Sequence, residues 1–109
     1  MYIRNEDTIC APATVPGTGA ISVIRISGPD ALTIADKVIK RRKGYISESK
    51  GYTIKFGVIL DDAGTVLDEV LVSIFRAPHS YTGENSVEIS CHASSYIVSA
   101  VMNLLYAAG

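Results

Sequence analysis

Seven consecutive residues near the carboxy terminus, Ser86-Val87-Glu88-Ile89-Ser90-Cys91-His92, alternate between polar and apolar without exception. A β-strand turns successive side chains to opposite faces, so Val87, Ile89 and Cys91 face one way and Ser86, Glu88, Ser90 and His92 the other. Such a segment needs a sheet with one face on a core and one face left polar. A second run, Ala20-Ile21-Ser22-Val23-Ile24-Arg25-Ile26-Ser27, is almost continuously apolar yet carries Arg25 in its middle. Charges are seldom buried without a partner. Arg25 and Glu88 therefore read either as a structural salt bridge or sheet-edge residues, or as the cation and carboxylate of a small-molecule site on the sheet.

The remaining pattern supplies partners for these two strands. Thr8 to Ala13 reads as a strand, with Pro12 placing it at an edge or bulge. Pro16-Gly17-Thr18-Gly19 is a loop. Ser27 is set to cap a helix that has Pro29 near its first turn and Asp30 as the capping-box acid. Ala31, Leu32, Ala35, Val38 and Ile39 recur at helical spacing, so this helix is expected to reach about Lys40. A polar connection runs through Lys50. Tyr52 to Leu60 and Val66 to Phe75 form strands around an Asp61-Asp62-Ala63-Gly64 turn. A loop over 76–85 leads into the alternating strand, and a helix is expected over about 95–108. The fold class is α+β, a single domain with a mixed sheet of about five strands and two main helices.

With 109 residues, 48% of them hydrophobic, the chain can bury a core without staples. A net charge of −1 argues against a strong general attraction to nucleic acid. The Lys40-Arg41-Arg42-Lys43 cluster reads first as solvated cations at a helix end, with an RNA-binding module using these cations as a weaker third reading given the net charge. Cys10 and Cys91 lie far apart with no apolar leader ahead of them, which fits free thiols in a reduced, cytoplasmic setting. No apolar run is long enough to span a membrane. His79, His92 and the two cysteines show no metal-ligand spacing. Gly17-Thr18-Gly19 has no following lysine and leads into a strand, so it makes neither a Walker loop nor a dinucleotide fingerprint.

The final helix is apolar nearly all round. Ile97, Val98, Val101, Leu104, Leu105 and Ala108 form one face, but Tyr96, Ala100, Met102 and Tyr106 occupy much of the rest, and no charged residue follows Glu88. A helix of this kind is covered on several sides. A homodimer interface, or further chain beyond Gly109, is the expected cover.

Six stretches together carry a resemblance. Asp7-Thr8-Ile9-Cys10-Ala11-Pro12-Ala13-Thr14 precedes Pro16-Gly17-Thr18-Gly19 and Val23 through Ala31. Val66-Leu67-Asp68-Glu69 and Pro78-His79-Ser80-Tyr81-Thr82-Gly83-Glu84-Asn85 then lead to Val87 through His92. In order and spacing the chain resembles the amino-terminal domain of the tRNA-modification GTPases of the MnmE (TrmE) family. The resemblance implies a domain that binds a tetrahydrofolate derivative such as 5-formyl-tetrahydrofolate and holds two subunits together. It implies Arg25 and Glu88 as folate ligands, with others beyond Gly109. In that family the folate is the one-carbon source for wobble-uridine modification of tRNA, carried out with the flavin protein MnmG. GTP, magnesium and potassium belong to a GTPase domain whose motifs are absent from these residues. The competing expectation is a structural dimerisation module that binds no folate.

Overall fold

The computed structural model describes residues 8–12, 20–80 and 83–109. In chain order the elements are β1 (Ile9–Pro12), β2 (Ile21–Ser27), α1 (Ala31–Val38), β3 (Ile39–Lys40), a 3-10 turn (Ile46–Glu48), β4 (Thr53–Leu60), β5 (Val66–Phe75), β6 (Ser86–His92) and α2 (Ser95–Ala108). The six strands form one sheet in the order β1-β2-β6-β5-β4-β3. The α+β class is as expected, but every pairing is antiparallel and there are six strands rather than about five. The β-strand nearest the carboxy terminus, β6, lies at the centre between β2 and β5. Pro12 sits on the edge strand β1, the position in a sheet that a residue without an N–H tolerates.

Period-two alternation builds the core. Ile24 and Ile26 on β2, Val70, Val72 and Ile74 on β5, and Val87, Ile89 and Cys91 on β6 are all buried on one face. Onto that face pack Ala31, Leu32, Ile34, Ala35 and Val38 of α1 and Val101, Met102 and Leu105 of α2. Burying an aliphatic side chain of this size contributes about 1.5–3 kcal/mol. Both helices lie on the same side, so the domain is two layers with one sheet face uncovered by helix.

Three local expectations need correction. Helix α1 stops at Val38, because Ile39 and Lys40 leave the helix to pair with Ile59 and Val58 as the short edge strand β3. The approach is close: a Cβ on Gly57 would stand 2.5 Å from Ile39 Cγ2, so only glycine lets β3 lie there. The cap of α1 is Asp30, which makes no side-chain capping bond; the hydroxyl of Thr8 instead accepts the Asp30 N–H at 2.8 Å. Ser27 remains in β2. The polar connection holds the 3-10 turn, which Arg76 ties to the end of β5 by donating from Nε and Nη2 to the carbonyls of Ser47 and Ser49.

The turn after β4 behaves as its sequence demands. Asp61 Oδ1 accepts the N–H groups of Ala63 and Thr65, each at 2.9 Å, and Gly64 takes the left-handed φ of +82°. The Gly17-Thr18-Gly19 loop lies outside the described residues.

Candidate functional site

The uncovered sheet face carries the two charged candidates side by side. Residues paired across an antiparallel ladder share a face, and β2 and β6 pair Arg25 directly with Glu88. The row continues to Ala11 on one side and to Ser73 and Ile54 on the other. Arg25 donates from Nε to Glu88 Oε2 at 2.9 Å, and its Nη2 stands 2.8 Å from the same oxygen. The side chains are 30% and 24% exposed, so the pair is neither sealed in the core nor loose in solvent. A carboxylate has about four acceptor positions. Arg25 takes two of them on one oxygen and thereby orients the group.

Loop contacts brace the end of β2 beside this pair. Ser27 Oγ donates to Glu84 Oε1 at 3.3 Å, and Gly28 donates its N–H to the Asn85 carbonyl at 3.0 Å. Asn85 Oδ1 accepts the Ala77 N–H at 2.9 Å, closing the loop on itself. The polar segment before β6 is thus fixed to the strand that carries Arg25.

Beyond Ser73, Ser90 and the other small residues that flank the pair, the open face is apolar. Ile21, Ile54, Phe56 and Leu71 are each more than half exposed. Ile21, Phe56, Leu71, Ser90 and His92, with Glu69, line a shallow hollow of about 210 Å³. Arg25 and Glu88 do not line it. They adjoin it, since Ser90 stands one step along the same face of β6. The final helix, expected to be apolar nearly all round and covered by a partner subunit or further chain, leaves less large apolar surface exposed than the sheet does. Helix α2 buries Val101, Met102 and Leu105 and exposes Tyr96 and Tyr106 among mostly small or polar residues, whereas the larger aliphatic and phenyl surface lies on the sheet.

A second pair went unpredicted. Asp68 is buried, and its Oδ2 accepts the His92 backbone N–H at 2.9 Å while Oδ1 lies 2.6 Å from His92 Nδ1. Asp68 thereby holds, through Nδ1, a His92 ring that is three-quarters exposed. A signal was present in the sequence: Asp68 falls in phase with the inward residues Val70, Val72 and Ile74, and a buried acid requires donors.

Both cysteines are free thiols. Burial raises the pKa of Cys10; burial and then the nearby Asp68 charge raise that of Cys91, against a lowering backbone hydrogen bond. Neither is a ready thiolate nucleophile. Among the described residues no helix is long and apolar enough to cross a membrane.

Comparison with known proteins bears on this arrangement. A family model described as "GTP-binding protein TrmE N-terminus" matches residues 8–109. Proteins named tRNA modification GTPase MnmE are similar to the chain. That of Bacteroides thetaiotaomicron is 56% identical over 103 residues, covering 93% of this chain and 22% of the relative. That of Moorella thermoacetica is 48% identical over 106 residues, covering 95% and 23%. That of Parabacteroides distasonis is 45% identical over 104 residues, covering 94% and 23%. The chain spans less than a quarter of the length of these curated relatives.

Proposed function

From the premise that this chain belongs to the TrmE amino-terminal family, we propose that it binds a tetrahydrofolate derivative on its open sheet face. We further propose that it self-associates through the apolar part of that face. Both activities would serve the amino-terminal domain of a cytoplasmic tRNA-modifying GTPase. The observation that carries the reading is the Arg25–Glu88 pair, half-buried beside an exposed apolar patch.

The donor set fits a pterin. Its amidine-like edge presents paired N–H donors, which a carboxylate such as Glu88 accepts side by side. Arg25 holds that carboxylate in register, and its guanidinium suits a ring carbonyl or an anionic tail group. Ile21, Phe56 and Leu71 offer an apolar bed for a flat aromatic segment. Bound there, a 5-formyl-tetrahydrofolate-like group would supply a one-carbon unit for wobble-uridine modification. The GTPase activity in the relatives' name, with its GTP, magnesium and potassium, belongs in this reading to a separate domain, and the flavin-dependent MnmG is the partner of the whole protein.

Calorimetric titration with 5-formyl-tetrahydrofolate tests the proposal. Saturable binding is expected, weakened by about 1.5–3 kcal/mol in Glu88→Ala because a charged acceptor is lost. Absence of binding to the unmodified chain, with self-association intact, would leave a dimerisation module that takes no folate. Unchanged affinity in Glu88→Ala would remove Glu88 from the site.

A further inference from the structure

Charge on this chain is sharply segregated. Residues 37–55 hold seven of its ten cations and one of its eleven acids, a local balance of +6 against −7 for the remainder. The fold gathers that segment at one edge of the sheet, from the end of α1 through β3 and the 3-10 turn to β4. Lys40, Arg42, Lys43 and Lys50 are exposed there. Among the described residues no ion pair engages these cations. The two nearest carboxylates in sequence are turned to the backbone: Glu48 accepts the Tyr45 N–H at 2.9 Å, and Asp36 accepts the Ser47 N–H. The small overall charge therefore conceals a cationic segment, with Asp61 and Asp62 of the β4–β5 turn sharing a hollow with Lys37 and Lys40 at one end and Arg42, Lys43 and Lys50 outside that hollow.

Two tyrosines are set among these cations. Tyr45 is 63% exposed and Tyr52 is 72% exposed. Tyr52 is also the single non-glycine residue with positive φ, +58°, among the described residues. Its N–H donates to the Ile74 carbonyl at 2.7 Å, and its ring meets Phe75 edge to face at 6.1 Å. A large side chain in the left-handed region is costly and persists only where its surroundings hold it.

Cations alone have a simpler role, since charged residues keep a sheet edge from pairing with another chain. That role calls for no exposed rings. Cations tracking a backbone, interleaved with aromatic faces, are what single-stranded nucleic acid binds. We propose that this edge is a docking surface for single-stranded RNA, with Lys40, Arg42, Lys43 and Lys50 on phosphates and Tyr45 and Tyr52 as platforms for unpaired bases. RNA is favoured over an anionic membrane because the edge offers no amphipathic helix to insert. The proposal goes beyond the folate reading. It draws on the family premise only in that the relatives are named for modifying tRNA.

The test is fluorescence anisotropy of the chain with a labelled single-stranded RNA of about 12 nucleotides. With four phosphate contacts of about −0.7 each in the log–log salt slope, affinity is expected to fall about fifty-fold between about 50 and 200 mM salt. The triple variant Lys40→Glu/Arg42→Glu/Lys43→Glu should lose at least about tenfold in affinity and most of that slope. Tyr45→Leu/Tyr52→Leu should lose at least about thirtyfold while keeping the slope, because stacking goes and charge stays. No binding of the unmodified chain at low salt overturns the proposal, whether or not any variant folds. Equal affinity for an RNA duplex, indifference to the tyrosine changes, or binding to phosphatidylglycerol vesicles in place of RNA also overturns it. A parallel folate titration separates the two readings: loss of folate binding with RNA binding retained strikes only the folate proposal, and the reverse strikes only this one.

Discussion

The two faces of the sheet are built from the same strands, yet they obey different rules. On the covered face, Ile24, Val72, Ile74, Val87 and Ile89 are sealed beneath α1 and α2. On the open face, one residue along in each strand, Ile21, Arg25, Ile54, Leu71 and Glu88 retain contact with solvent. A half-buried ion pair beside exposed aliphatic and phenyl groups contributes little to folding, since such pairs gain about what their desolvation costs. The contrast puts the packed core on one face and leaves the other as the proposed recognition surface.

The largest expected effect falls on the covered face. Ile89→Ala should lower the unfolding free energy by about 2–5 kcal/mol in urea titration, because it leaves a cavity under both helices. A cost below about 1 kcal/mol would mean that the helix layer is loosely seated and that the contrast is false.

Next comes the open-face pair, where single and double changes should differ. Arg25→Met alone leaves Glu88 half-buried without its donor and should cost about 1–2 kcal/mol. Arg25→Met combined with Glu88→Met should restore stability to within about 1 kcal/mol of the parent. Both variants should lose folate binding in calorimetry. A double variant that is much less stable than the parent would make the pair a structural element and move recognition elsewhere.

Third, Phe56→Asp with Leu71→Asp places charge on the open apolar patch. Phe56 and Leu71 pair directly across the β4–β5 ladder, where two like charges repel, so stability should fall by about 1 kcal/mol. Analytical ultracentrifugation at micromolar concentration should show a dimer for the parent chain and a monomer for the variant. A parent chain that is already monomeric removes self-association from the reading of this face.

The smallest effect sharpens the covered side. Burial raises the Cys91 pKa above 9.0, so at alkaline pH the unfolded chain releases a proton that the folded chain retains. The folded state then holds more protons, and stability falls as pH rises from 9.0 toward the folded-state value. Cys10 contributes in the same sense. Cys91→Ala should flatten the alkaline limb of a stability–pH profile; an unchanged slope would show that Cys91 ionises as freely as in the unfolded chain.

How far the sequence disclosed this division depends on the element. In β6 the alternation was legible for Val87, Ile89 and Cys91, which are buried as it requires, but Ser86, placed by the same alternation on the open face, is buried too. Strand β3 was not legible, because Val38 and Ile39 continue an apolar helical spacing and only the contact over Gly57 draws Ile39 into the sheet. Ser27 resembled a cap, but its hydroxyl is engaged with Glu84, a partner 57 residues away. In α2 the all-round apolarity overstated the surface left open, since tyrosines and alanines tolerate solvent where leucines do not. Arg25 and Glu88 stood out by charge, and their direct opposition needed a register that no local pattern encodes. Asp68 was readable by phase, yet its partner His92 required the pairing of β5 with β6.

The central place of β6 also sets the order in which the chain can assemble. A ribosome releases the β1–β2 hairpin first and the β3–β5 meander later, and neither touches the other's ladder in the finished sheet. Each is a small sheet with an unpaired inner edge until residues 86–92 arrive to join them. The bond between Arg25 and Glu88 spans 63 residues, so closure waits for nearly the whole segment to be synthesised. Contacts so distant in sequence slow folding, because the loop entropy is lost before the pairing is gained. A nascent chain halted before Ser86 would therefore present two open strand edges to its neighbours, and the same segment that carries Glu88 is the one that closes both.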